Sequence, residues 1–123
     1  MTIYCTTAEV ARKSGASLRQ LQWWDEKRVL CPMLERHIRV YSRAEAVQAS
    51  VVVELRDRKI PLQRIRSLPL PAILRTPRRF LLIGARKGHK MLHLADVVAY
   101  CAATKVAFHV VDLRVHFERF PEE

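Results

Sequence analysis

Three side chains in the stretch SLRQLQWWDEKRVL, residues 17–30, have the types and spacing needed to read a nucleic acid. On a helix, Arg19, Gln22 and Trp23 are separated by three and four positions and share one face. Arg19 and Gln22 can reach base edges, and the Trp23 indole N–H can donate to a phosphate. Leu18, Leu21 and Trp24 fall along the other side. Neighbours on a helix diverge by about 100°, so one core cannot take both tryptophans. Trp24 is the expected core ring, its burial contributing on the order of 2–3 kcal/mol. Trp23 is left beside Arg19 and Gln22, and packing beneath another segment of the same chain is the plainer alternative for it.

Other chemistries find little support. The chain has three glycines and no glycine-rich phosphate cradle, no nucleophile with a recognisable base and no paired carboxylates, so no enzyme is expected. His109 and Asp112 lie on a predicted strand at a spacing that sends them to opposite faces. His89 and His93, near Asp96, could grip a metal from a helix, but their segment reads as strand, and no metal or other cofactor is expected. Cys5, Cys31 and Cys101 are far apart and form no C-x-x-C pair, which reads as three reduced thiols.

Charge points the same way as the helix face. The 123 residues carry 22 Lys and Arg against 12 Asp and Glu, a formal charge of +10, which favours a polyanionic partner. Between Asp57 and Asp96 there is no acidic residue but there are ten basic ones: Arg58, Lys59, Arg64, Arg66, Arg75, Arg78, Arg79, Arg86, Lys87 and Lys90. Five phosphate contacts from this stretch would give a log–log salt slope of about −4 to −5; a merely solvated basic surface would give none. No apolar run reaches the roughly 20 residues of a spanning helix, and the start lacks a secretory pattern, so a cytoplasmic protein without membrane contact is expected.

These side chains need elements to hold them. Ser or Thr followed three residues later by Glu or Gln recurs in TTAE, SLRQ and SRAE, each before apolar helical spacing. Thr6, Ser17 and Ser42 are the expected caps, with Glu9, Gln20 and Glu45 reaching back. A first helix over about 7–13 puts Val10 and Ala11 inward, and SGAS ends it and caps the second: helix, tight turn, helix. VLCPMLERHIRVY then alternates as a short hairpin, or wing, with Ile38 and Val40 on one face and His37, Arg39 and Tyr41 on the other. A third helix over 43–58 carries Val47, Val51, Val52 and Leu55, and a fourth starts at Pro61 with Leu62, Ile65 and Leu68 inward. Pro69, Pro71 and Pro77 then forbid a long continuation. Beyond them the sequence predicts a β-hairpin turning at Lys87 and Gly88, a helix using Val97, Val98, Tyr100 and Cys101, and a strand through VAFHVVDLRVHF.

With these elements in place, the chain resembles the MerR family of bacterial winged-helix regulators. The matching stretches are TTAEVARKSGASLRQLQWWDEKRVL with its aromatic pair followed by Asp25, RVYS with Arg39 and Tyr41, and VVELRDRKIPLQRIRSL, together roughly residues 4–68. The resemblance implies that Ser17, Arg19, Gln22 and Trp23 face DNA and that Arg39 and Tyr41 contact its backbone from the wing. Arg36 can supply the basic wing residue where Leu34 departs from the family. Gln22 and Trp23 stand where the family commonly has Arg and Tyr, and Lys59 and Pro61 replace the usual Gly and Ser. Three prolines stand where its long dimerisation helix would follow.

The expected fold is α+β: a winged helix-turn-helix over residues 1–68, a proline- and arginine-rich linker over 69–79, and a small mixed α/β unit over 80–123 for self-association. The expected function is a sequence-specific regulator that binds double-stranded DNA as a homodimer without a coiled coil, with strands around 80–85 and 106–113 as the interface. Its contacts are expected from Thr6, Ser17, Arg19, Gln22, Trp23, Arg36, Arg39, Tyr41, Arg58 and Lys59. Two alternatives stand beside it: an excisionase-like or architectural protein that bends DNA without an effector, and a module that holds RNA or an acidic protein. No small-molecule effector is legible.

Overall fold

A computed structural model describes residues 4–75, 80–105 and 107–121. The N-terminal part is the expected helix-turn-helix with a wing: β1 (Tyr4–Thr6), α1 (Thr7–Ser14), α2 (Leu18–Glu26), β2 (Met33–Glu35), β3 (Ile38–Ser42), α3 (Arg43–Asp57) and α4 (Leu62–Ser67). Three antiparallel strands pair in the order β1-β3-β2. The three-residue β1 was not foreseen, because it is too short to show a period; it exists by setting buried Cys5 opposite Tyr41.

The caps form as the spacing predicts. Ser17 and Ser42 make full reciprocal boxes with Gln20 and Glu45. At Thr6 the reciprocity differs: its hydroxyl accepts from the Glu9 N–H at 3.1 Å, but the Glu9 carboxylate meets that hydroxyl, not the backbone. Thr6 is the last residue of β1 and sits in register with Val40. Gly15, at φ 86°, ends α1. α2 and α3 end in Schellman turns, with Val29 and Ile60 donating back to Trp24 and Leu55. The left-handed residue in these two turns is Arg28 (φ 58°) and Lys59 (φ 65°).

Three prolines do not exclude a single turn of helix. α5 (Leu70–Ile73) starts behind Pro69 with Pro71 in its first turn, where a missing N–H costs nothing, and Leu70, Ile73 and Leu74 are buried. Pro77, Arg78 and Arg79 lie outside the described residues.

The second half forms β4 (Phe80–Gly84), β5 (His89–Leu92), α6 (Leu94–Thr104), β6 (Phe108–Asp112) and α7 (Leu113–Glu118). The expected hairpin is β4–β5, and β6 pairs with the other edge of β4, giving the order β5-β4-β6. The single long strand expected from 106 onward is corrected: it stops at Asp112, whose carboxylate accepts from the Arg114 N–H at 3.1 Å and starts α7. Leu113, His116 and Phe117 are spaced for a helix and turn toward the core. Val98, expected in the core, is 77% exposed; α6 buries Val97, as expected.

β4 is buried on both faces. Leu81 and Ile83 join the main core with Leu21, Trp24, Val51, Leu55, Val111 and Phe120, so that core draws on both halves of the chain. Phe80 and Leu82 face Val97 in a smaller cluster beneath α6. Polar contacts fasten α7 to α3. His116, 1% exposed, places Nε2 2.7 Å from Glu54 Oε1 and Nδ1 2.7 Å from Ser50 Oγ. Arg119 donates to Ser50 at 2.9 Å, and Arg58 pairs with the other Glu54 oxygen at 2.7 Å. Burial alone would raise the Glu54 carboxyl, but donation from His116 and the charge of Arg58 outweigh it and hold the carboxyl below its ordinary value. Among the described residues no helix is long and apolar enough to cross a membrane.

Candidate nucleic-acid interface

The outer face of α2 is set by its inner one. Leu21 (1% exposed) and Trp24 (2%) anchor the helix in the core, which turns Trp23 outward at 45% exposure. Leu18, expected on the same side as Leu21, is 59% exposed: at the first position of the helix it overhangs the core's edge. Ser17, Arg19, Gln20, Gln22, Trp23 and Glu26 line an open concavity of about 520 Å³. The cap consumes Ser17 Oγ and Gln20 Oε1, at 3.0 and 2.9 Å from their backbone donors. Gln22 donates to Glu26 over a long 3.4 Å, a contact readily exchanged for a base edge, and Arg19 makes no ion pair among the described residues.

The wing is a hairpin whose two turn residues, Arg36 (φ 52°) and His37 (φ 68°), both have positive φ, the backbone twist a tight two-residue turn requires. Arg36 is thereby at the exposed tip. Arg39 is half-buried; its Nε donates to Asp25 Oδ2 at 2.7 Å. That bond is the main reason its guanidinium is held above its ordinary pKa. The pair joins β3 to the end of α2, so Asp25 positions the wing against α2. Asp25 was visible in the sequence as the acid after two aromatics, but its partner, fourteen residues away, was not.

Tyr41 is where the structure departs from expectation. Its ring is 0% exposed, and its hydroxyl has no hydrogen-bond partner among the described residues. Burial pushes its pKa up to about 12. The side of β3 that carries Tyr41 faces the core because Tyr41 pairs with Cys5 of β1, while Ile38 is 66% exposed. In this arrangement Tyr41 supports the wing from beneath instead of presenting a hydroxyl at the surface. Thr6 is exposed but spends its hydroxyl on the cap of α1. Arg58 and Lys59 are exposed at the C-terminal end of α3, with Arg58 paired to Glu54.

Residues 5–68 match the model of the MerR HTH family regulatory proteins. The chain belongs to the MerR helix-turn-helix family. Its membership makes the protein a DNA-binding regulator. The match ends at Leu68, and α5 to α7 lie beyond it. Among curated proteins none matches the chain. The α+β architecture anticipated for a MerR-like unit followed by a mixed unit is the one observed. Among the described residues no group of three or more His, Cys, Asp or Glu is placed to hold a metal ion.

Proposed function

We propose that the protein is a cytoplasmic, sequence-specific transcriptional regulator that reads the major groove of duplex DNA with α2. The observation that carries this reading is the division of labour between adjacent tryptophans: Trp24 locks the helix inside, and Trp23 stands 45% exposed between Arg19 and Gln22. Arg19 and Gln22 meet base edges, Trp23 approaches the backbone from the exposed face of α2, and Ser17 and Thr6 approach it at the N-terminal ends of α2 and α1. Arg36 reaches the backbone from the wing tip. Arg39 does so from its Asp25 pair, and Arg58 and Lys59 add backbone charge.

The regulator acts as a homodimer, because one recognition helix reads few base pairs and two half-sites recover the affinity. Self-association runs through the C-terminal unit. β4 cannot contribute, since β5 and β6 occupy both its edges. Among the described residues β6 keeps its outer edge free, and Leu94 (57% exposed), Val98 (77%) and Val115 (44%) are exposed apolar side chains of that unit.

Fluorescence anisotropy tests the reading with the DNA upstream of the protein's own gene and with scrambled DNA of equal composition, each at two salt concentrations. A preference of about a hundredfold or more that survives the higher salt establishes the regulator. Equal binding to both, collapsing with salt, overturns it in favour of a basic protein that coats nucleic acid. A monomer by sedimentation, both free and on DNA, overturns the dimer.

A further inference from the structure

A second concavity, of about 440 Å³, lies at the far end of the C-terminal sheet, lined by Gly84–Lys90 together with Tyr100 and Phe108. Its chemistry differs from that at α2, whose wall includes Glu26, and from the crevice beside α3, whose wall includes Glu45. No carboxylate lines it. Arg86, Lys87, His89 and Lys90 are all exposed around its mouth, and the half-buried rings of Tyr100 and Phe108 form its floor, centroids 5.5 Å apart and tilted by 51°. Lys90 Nζ sits 4.5 Å from the Tyr100 ring centroid.

The loop that carries these cations is built, not slack. A Cβ on Gly84 would lie 2.1 Å from the Lys87 carbonyl oxygen, so only glycine permits the turn, and Gly88 has φ +83°. Arg64 of α4 reaches across and donates to the carbonyls of Gly84, Ala85 and Gly88. Those oxygens would otherwise repel an anion; with Arg64 on them, the loop presents positive charge beside an aromatic floor.

We propose that this cleft binds a nucleotide unit, its base on the Tyr100–Phe108 floor and its phosphate among Arg86, Lys87 and Lys90. A flat π-system carrying a phosphate uses both halves of the site: the rings reward stacking of any base, and the cations reward the charge. On binding, Lys90 exchanges its ring contact for the phosphate. The unit can come from a free mononucleotide or from a nucleic-acid strand. The site is separate from α2 and does not rest on how α2 reads DNA.

The test uses the full chain with two probes, N-methylanthraniloyl-ATP and a fluorescein-labelled twelve-nucleotide thymidine strand. Saturable binding of the mononucleotide, displaced by unlabelled ATP, identifies a free nucleotide; binding of the strand alone identifies nucleic acid. In either case Tyr100→Ala is expected to weaken binding by about tenfold or more and Tyr100→Phe to restore it, while mononucleotide binding is expected to be unaffected by Arg19→Ala. Lys87→Ala is expected to reduce the log–log salt slope with the strand by roughly 0.7. If Tyr100→Ala does not fold, Lys90→Gln and Arg86→Ala carry the comparison, each expected to weaken binding severalfold. Absence of binding by both probes, or equal binding by parent, Lys87→Ala and Lys90→Gln, overturns the proposal. So does loss of binding of both probes on Arg19→Ala.

Discussion

Arg39 Nε donates to Asp25 Oδ2 at 2.7 Å, and this bond ties the wing strand β3 to the end of α2. The two side chains are 30% and 22% exposed, so the pair is partly shielded from solvent but not sealed. A double-mutant cycle with Asp25→Ala and Arg39→Ala is expected to show a coupling of about 0.5–1 kcal/mol in stability. DNA affinity is expected to fall in both single variants, although only Arg39 can touch a phosphate. Full affinity in Asp25→Ala would show that the wing holds its place without the pair.

The adjacent tryptophans separate stability from binding. Trp24→Ala empties a core site and is expected to cost about 3–5 kcal/mol in chemical denaturation. Trp23→Ala should stay within about 0.5 kcal/mol of the parent, as a surface change does, while its DNA affinity drops by tenfold or more. A marked destabilisation by Trp23→Ala would mean that the ring packs within the protein after all.

Tyr41 buries a hydroxyl that has no partner among the described residues. Replacing it with Phe removes the desolvation penalty and keeps the ring, so Tyr41→Phe is expected to raise stability by about 1 kcal/mol. Because the folded-state pKa is raised, from 10 to about 12, the unfolded chain releases this proton first, so titration of Tyr41 costs no stability below pH 10 and progressively lowers it as pH rises toward 12. Thermal melts between pH 9 and 11 should therefore decline less steeply for Tyr41→Phe. A loss of DNA affinity in this variant would show that the hydroxyl turns out to a phosphate in the complex.

Glu54 behaves with the opposite sign. Its folded-state pKa is depressed below 4.5, so its contribution is present above that pH and lost as pH falls through the folded value. Glu54→Gln should flatten the acid limb of the stability profile, most visibly below pH 4.5. An unchanged acid limb would mean that the bonds from His116 and Arg58 do not favour the carboxylate.

Lys59 ends α3 at φ 65° without being glycine. A left-handed L-residue costs about 1–2 kcal/mol, against roughly 0.4–1 kcal/mol of unfolded-state entropy that a glycine adds. Lys59→Gly is therefore expected to stabilise by about 0.5–1 kcal/mol in urea titrations. Any destabilisation would show that the lysine side chain compensates for its backbone.

Local signals made the helix-turn-helix legible. Ser17 with Gln20 and Ser42 with Glu45 announce their helices because a cap involves residues three apart, and Val47, Val51, Val52 and Leu55 repeat at a helical period along a helix whose residues 46–52 are all buried. The Trp23–Trp24 division follows from the same geometry. What determined these features lies within a turn or two of chain, where a sequence can be read directly.

The tertiary structure decided the rest. Alternation could not say which face of β3 points inward; pairing with β1 chose Tyr41 and exposed Ile38. Strand-forming residues after Asp112 became α7 because Leu113 and His116 found a groove against α3. The link between Asp25 and Arg39, and the burial of β4 on both faces, join residues distant in the chain. Such contacts leave no period in the sequence, because they depend on how finished elements pack and not on the spacing within any one of them.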